Sequence, residues 1–319
     1  MIRKSNVSPT TSQVGGWYTL KLSDTVRVAA QPNMVFSQLC RPEPRFGPHM
    51  GDTLQFNKIG DLNGNGIEMT EDGDVPEAEY TQTYGTCTVK EYRNSVRLSH
   101  WASIFSELSV VDAAIISLVN EARKTLDRIA SVPFLTADLV YTPTGTTSAK
   151  TYTLSTTGTA GATASREFSY WDHQNIIDLM RGTYRVPGFM GDDYLCVATT
   201  KFLRNLRTDA DLNTIRRYVA DSNKNILAGE IGDLEGTRFV RETNVMNNSI
   251  GTSGVTGQAV YIGGDPAVML EVYPFEIQAA VADMYGRFRT LSWVWFGGYA
   301  RTWSWATDAQ TRIIRVDSL

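Results

Sequence analysis

The sequence predicts an α+β fold, on three observations. Polar and apolar residues alternate over residues 52–59, and residues 81–92 are rich in Thr, Tyr and Val, which marks two strands around an acidic, glycine-rich string at 61–72. Residues 110–132 carry one apolar stripe at spacings of three and four, the pattern of a long amphipathic helix. From about residue 171 short helical and strand patterns mix, and the chain closes on tryptophan-rich strands.

Bulk composition narrows the function classes. A chain of 319 residues can bury a substantial core without staples. Thirty basic against 34 acidic residues, a net charge of -4, argue against a protein that grips nucleic acid or anionic lipid by charge alone. Cys40, Cys87 and Cys196 are odd in number and far apart, which suggests neither a disulfide framework nor a zinc site and fits a reducing compartment. No stretch approaches the ~20 apolar residues of a membrane span, and no apolar run follows the N-terminal basic residues as an export signal would require.

Element by element, Pro9, Pro32, Pro42, Pro44 and Pro48 punctuate the first 50 residues, which read as an extended arm ordered only where something else holds it. The string GDLNGNGIEMTEDGD that follows has two readings. Asp61, Asn63, Asn65, Gly66 and Ile67 match the first half of a calcium loop of the EF-hand type, whereas Asp72 stands where a bidentate Glu belongs. The flanks are strand-like instead of helical, and Asn-Gly pairs supply the positive φ angles of tight turns, so a long β-hairpin with an acidic tip is the alternative. Arms of about 15 residues at ~3.3 Å each would extend roughly 50 Å.

Ser109 followed by Asp112 is a capping-box variant, and Leu108, Val111, Ile115, Leu118, Ala122, Leu126 and Ile129 form the stripe of the helix it starts. Asn120, Glu121, Arg123, Lys124, Asp127 and Arg128 fill the other side, and Pro133 ends the segment. A helix of that length, ~34 Å, suits a beam laid across a sheet. Residues 142–165 are a low-complexity Thr/Gly/Ala/Ser run, read as an exposed hairpin or loop with little core of its own. Asp172 can cap a helix through Ile176, Ile177, Leu179 and Met180; residues 194–198 are a buried strand, and 211–220 a second helix. Residues 237–243 and 258–262 read as strands, and Asp265-Pro266 as a helix start. Trp293, Trp295, Trp303 and Trp305 surround Gly297-Gly298 and read as core, with a last strand at 312–316.

Catalytic patterns are absent. His49, His100 and His173 each stand alone, and neither a G-x-S-x-G, an H-E-x-x-H nor a P-loop occurs. Gly229, Gly232 and Gly236 follow a helix and lead into a strand, the reverse of the order that aims a helix N-terminus at phosphate. The acidic groups Asp192-Asp193 and Glu68, Glu71, Asp72 read as solvated surface.

The order of parts resembles the major capsid protein of tailed bacteriophages, the Hong Kong 97-type fold, and most closely the major capsid family of the N-four-like podophages. The likeness rests on residues 229–245, GEIGDLEGTRFVRETNV, on 194–209 and on 70–76, and spans residue 32 to the C-terminus. The Asp/Asn-rich tip and the Thr/Gly-rich run near 150 depart from the family. The resemblance implies an N-arm at 1–50, an E-loop hairpin at 51–101, a P-domain with its spine helix and the Thr/Gly-rich insertion at 102–170, an A-domain at 171–285 and C-terminal strands at 286–319. It favours the hairpin reading and implies that Asp61, Asn63, Asn65, Glu68, Glu71 and Asp72 contact a neighbouring subunit. No cofactor is expected, with calcium at Asp61, Asn63, Asn65 and Asp72 as the one alternative. Implied partners are further copies in hexamers and pentamers, scaffolding, portal and decoration proteins, and packaged DNA held weakly. The implied location is the virion capsid, assembled in the host cytoplasm without a membrane.

Overall fold

The computed structural model describes residues 31–44, 47–60, 62, 68, 69, 71, 75, 77, 79–105, 109–209, 234–246, 257–280 and 285–319, with side chains 102, 103 and 105 excepted. After a 3₁₀ turn at Phe36–Gln38 come β1 (Arg41–Pro42), β2 (Thr53–Ile59), β3 (Gln82–Thr88) and β4 (Lys90–Ser99). Two helices follow, α1 (His100–Phe105) and α2 (Val110–Leu135), then β5 (Leu139–Gly145), β6 (Lys150–Ser155) and α3 (Tyr170–Asp178), which runs into a π-helical turn at Leu179–Thr183. The remainder is β7 (Tyr194–Ala198), α4 (Thr200–Thr208), β8 (Thr237–Arg241), β9 (Gly257–Ile262), β10 (Ala267–Ala279), β11 (Phe288–Arg301), α5 (Trp305–Asp308) and β12 (Ile313–Ser318).

The long helix joins two sheets. Ser109 caps it by accepting from the Asp112 N–H at 3.4 Å. Its first half lays Ala114, Leu118 and Ala122 against Leu291, Trp293 and Trp295 of a four-stranded sheet ordered β1-β10-β11-β4. Its second half turns Ala130 and Phe134 toward a six-stranded sheet ordered β6-β5-β12-β9-β7-β8. The stripe thus drifts around the helix, and Asp127, predicted on the polar side, is buried. Its carboxylate accepts from the Ser37 N–H at 3.2 Å and from Asn244 Nδ2 at 3.0 Å, tying the N-terminal segment to α2. Leu108 lies outside the described residues. The helix passes Pro133 because the proline sits in the last turn, where Arg315 donates to the Leu135 carbonyl at 2.6 Å and Arg301 to that of Thr136 at 3.0 Å.

Period-two alternation fills both faces of the six-stranded sheet. Cys196, Tyr261 and Ile314 meet Ile176, Phe202 and Leu206 of α3 and α4 on one face. Val197, Val260, Ile262 and Ile313 meet Phe36 and Phe134 on the other. Phe36 is fully buried against Phe134, ring centroids 5.4 Å apart, so the arm from residue 31 is held by its own chain.

Several expectations are corrected. Helix α3 is capped by Ser169, with Asp172 at its third position accepting from the Ser169 N–H at 3.0 Å. Residues 142–145 complete β5, with Thr142 and Pro143 buried, so this run starts inside the sheet; its exposed part begins at Gly145 and continues through the turn at 146–149, and β6 is half-buried. Asp265-Pro266 starts no helix: Asp265 takes a positive φ of 52° at a corner, and the β-branched and aromatic run behind it becomes β10, bulged around Pro274. The helix predicted at 211–220 and the turn at 229–232 lie outside the described residues.

Candidate assembly surface

The hairpin is shorter than its sequence pattern suggests. Strands β2 and β3 pair over seven residues each, Thr53↔Thr88 to Ile59↔Gln82. After Thr88 the chain turns into β4, which pairs with β11 in the four-stranded sheet. Two glycines allow that passage. A Cβ on Gly298 would lie 2.3 Å from the Thr88 carbonyl, and one on Gly297 would lie 2.2 Å from the Trp295 ring. Across the ribbon, Gly85 leaves room for the Phe56 ring, which a Cβ would meet at 2.3 Å.

One ribbon face is held by its own chain. Leu54, Phe56 and Cys87 pack with Val268 and Leu270 of β10. Further out on the same face Lys58 donates to Asp308 Oδ2 at 2.6 Å, and Thr83 to Asp308 Oδ1 at 2.8 Å. The ion pair is dry, with side chains 6% and 2% exposed. Asp308 also accepts from the Ser304 N–H at 3.0 Å, and Ser304 in turn donates to Asp138, just past α2, at 2.7 Å. A line of polar contacts therefore runs from the end of α2 through α5 to the hairpin. Burial opposes charge on Asp308, but the bonds from Lys58, Ser304 and Thr83 outweigh it and hold the carboxyl below its ordinary pKa.

The opposite ribbon face carries no covering layer among the described residues. Ile59 and Tyr84 are exposed there, and Leu62, Met69, Val75 and Tyr80 are exposed further along, Val75 to 76%. Such a concentration of large apolar side chains on one arm makes it a candidate interaction surface. Of the predicted contact residues, Glu68 and Glu71 are exposed on this arm; Asp61, Asn63, Asn65 and Asp72 lie outside the described residues. The elements that flank them are strands, so the helix–loop–helix frame of an EF-hand is absent there. Sequence reasoning misses the Lys58–Asp308 latch, although one signal is present: Lys58 falls on the apolar side of the alternation Leu54, Phe56, Lys58.

Other candidate groups are structural. His173 is buried between the Tyr261 hydroxyl at 3.0 Å and the Leu234 carbonyl at 3.1 Å, while His49 and His100 are exposed elsewhere. Burial pushes the thiols of Cys40 and Cys87 up to about 12 and about 11, which leaves them unreactive. Asp192 and Asp193 face Arg181 and Arg238 at the surface, 4.0 and 3.4 Å away. Sequence reasoning also misses Arg166, whose guanidinium lies buried against Asp172. Among the described residues no three His, Cys, Asp or Glu side chains converge as a metal site, and no helix is long and apolar enough to cross a membrane.

Comparison with solved structures places this geometry. The cyanophage Pam1 capsid chain superposes with a TM-score of 0.72 at 14% identity, over 99% of both chains. The capsid of Ralstonia phage GP4 gives 0.67 at 16% identity over 98% of both, and the head of Helicobacter pylori bacteriophage KHP40 gives 0.69 at 10% over 99% of both. This chain has the phage capsid fold. The α+β, Hong Kong 97-type fold class expected from sequence is thus observed, with a likeness that covers nearly the full chain. No family profile and no curated protein matches the sequence.

Proposed function

We propose that this chain is a major capsid protein, copies of which close into the icosahedral head shell around the double-stranded DNA of a tailed phage. The observation that carries this reading is the match to phage capsid chains along 99% of both partners. The exposed apolar ribbon supports it, because an arm of that kind gains from burial against a neighbour. In this reading residues 51–101 act as the E-loop and α2 as the spine helix, copies gather as hexamers and pentamers, and the virion capsid is the site of action. Scaffolding, portal and decoration proteins are its further partners and the host cytoplasm its place of assembly. The role is structural and not enzymatic. DNA contact is weak and salt-dependent, as suits a chain of net charge -4.

The test is expression of the chain alone, followed by electron microscopy and sedimentation with and without a calcium chelator. Shells or capsomers that ignore chelator are expected. A monomer that unfolds in chelator would replace this reading with the calcium-binding one.

A further inference from the structure

Two buried carboxylates meet beside the N-terminal segment, and no cation pairs with them. Asp127 of α2 is 0% exposed and Glu242, just past β8, 1%. One residue bonds to both: Asn244 donates its Nδ2 to Asp127 Oδ2 at 3.0 Å and its backbone N–H to Glu242 Oε1. The N–H groups of Val245 and Met246 donate to Glu242 at 2.7 and 2.9 Å, and that of Ser37 donates to Asp127 at 3.2 Å. Among the described residues neither carboxylate forms an ion pair. Lys124, Arg128 and Arg241 stand close in sequence, yet Arg128 is exposed, Lys124 gives Asn244 its carbonyl at 3.2 Å, and half-buried Arg241 pairs with neither acid. The other titratable groups around Asp127 are the Cys40 thiol and the Tyr299 phenol, both raised, by burial first, so that each is neutral over the ordinary pH range.

The closure over this pair is slight. Asn33 exchanges bonds with Thr243 at 2.9 and 3.4 Å, Ser37 covers Asp127, and Phe36 lies on Phe134. Lifting that segment lets water reach the pair at the cost of one aromatic anchor. Two like charges in a dry site each lose hydration and repel one another, whereas a proton held by the pair removes the repulsion and one desolvation cost.

We infer that Asp127 and Glu242 form a proton-gated clasp: while the pair holds a proton, residues 33–38 stay closed on α2 and on the turn at 242–246, and ionisation of both carboxylates releases them. The device belongs to the single subunit and stands independently of the shell reading. Its sign is fixed by the environment. Burial, opposed by the bonds from Asn244 and the backbone, raises both carboxyls above their ordinary range, and the charge of Asp127 adds to the rise at Glu242. The closed state therefore binds more protons than the open one, so closure is fullest below about pH 4 and weakens as pH rises to the raised values. One proton lost per opening changes the open population about tenfold per pH unit inside that window.

Hydrogen exchange on the full chain, corrected for the intrinsic pH dependence of amide exchange, tests the clasp between about pH 4.5 and 8. Protection of the Asn33, Ser37, Gln38 and Leu39 amides is expected to fall about tenfold or more over that range, while the amides of Val197 and Val260 keep theirs. In Asp127→Asn combined with Glu242→Gln, shown to be folded by circular dichroism, the fall should shrink to less than about threefold. Glu242→Gln alone, which keeps the Asp127 contacts, should remove part of it. Wild-type protection that is flat or rises with pH overturns the clasp. So does a fall shared equally by Val197 and Val260, or a variant profile that runs parallel to wild type, as a merely structural role would give. Should the double variant not fold, Glu242→Gln and the wild-type profile decide by the same criteria.

Discussion

Replacing Asp308 by Asn should release the hairpin without unfolding the protein. The substitution leaves the Lys58 ammonium, 6% exposed, with no counter-charge and with the Trp303 ring 5.8 Å away as its remaining partner. Removing one member of a buried pair costs about 3–5 kcal/mol, and the lower end applies at a ribbon whose lysine can swing toward water. The cost falls on docking, since the cores of the two main sheets do not include Lys58, Thr83 or Asp308. About 3 kcal/mol is a factor of roughly a hundred in the docked population. Hydrogen exchange on the purified subunit reads it directly: amides of Thr53–Ile59 and Gln82–Thr88 should lose about a hundredfold protection while those of Tyr194–Ala198 keep theirs. The pH dependence has a definite sign. Because the Asp308 carboxyl is held below its ordinary pKa, the latch contributes fully above about pH 4 and is lost as pH falls through the depressed value. Replacing both partners by apolar side chains, Lys58→Met together with Asp308→Leu, should restore most of the protection. Unchanged ribbon protection in Asp308→Asn, or equal loss throughout the molecule, would refute the latch.

Three further outcomes are expected. Leu118→Asp places a charge between Trp293 and Trp295 and should cost several kcal/mol and prevent folding, seen as loss of the circular dichroism signal, whereas half-buried Ile115→Asp should cost less. Burial raises the Asp127 pKa despite bonds from Asn244 and Ser37, so its ionisation weakens the fold as pH rises through that raised value; the chemical-denaturation stability of wild type should gain on Asp127→Asn as pH is lowered from 7, and Asp127→Ala should lose about 2 kcal/mol at neutral pH by orphaning the Ser37 N–H, a deficit that grows as pH is lowered. Deleting residues 63–75 and closing the arms with a short turn should leave the circular dichroism spectrum native but abolish sedimenting shells; normal shells from that chain would put the subunit contact elsewhere.

What the sequence reveals, and what it hides, divides along a physical line. The period of 3.6 in α2 and the strands 194–198 and 258–262 are legible because each buries one continuous face against a single core. Asp127 escapes that pattern because α2 serves two sheets in succession, so its buried face rotates midway, which no single stripe can express. The hairpin arms read too long because β4 continues the alternation of β3 without a break in pattern; the partner changes from β2 to β11, and pairing leaves no mark on one strand's residues. Trp293 and Trp295 are core as their sequence context suggests, whereas Trp305 opens α5 and packs on the other sheet's cluster. For the candidate contact surface, acidity and exposed apolar side chains can be read in advance, but its anchoring by Asp308 joins residues 250 positions apart.

That long-range anchor bears on how a capsid fold can persist at 10–16% identity. The two sheets share α2 and are filled by interchangeable apolar side chains, so their sequence can drift so long as volume and period are kept. The ribbon has a different requirement. Its inner face is attached to α5 through Lys58 and Asp308, and a dry ion pair fixes direction where a greasy contact would tolerate sliding. Stability of the two sheets and the bearing of the ribbon are thereby carried by separate sets of residues, and a variant that alters one without the other is the informative experiment.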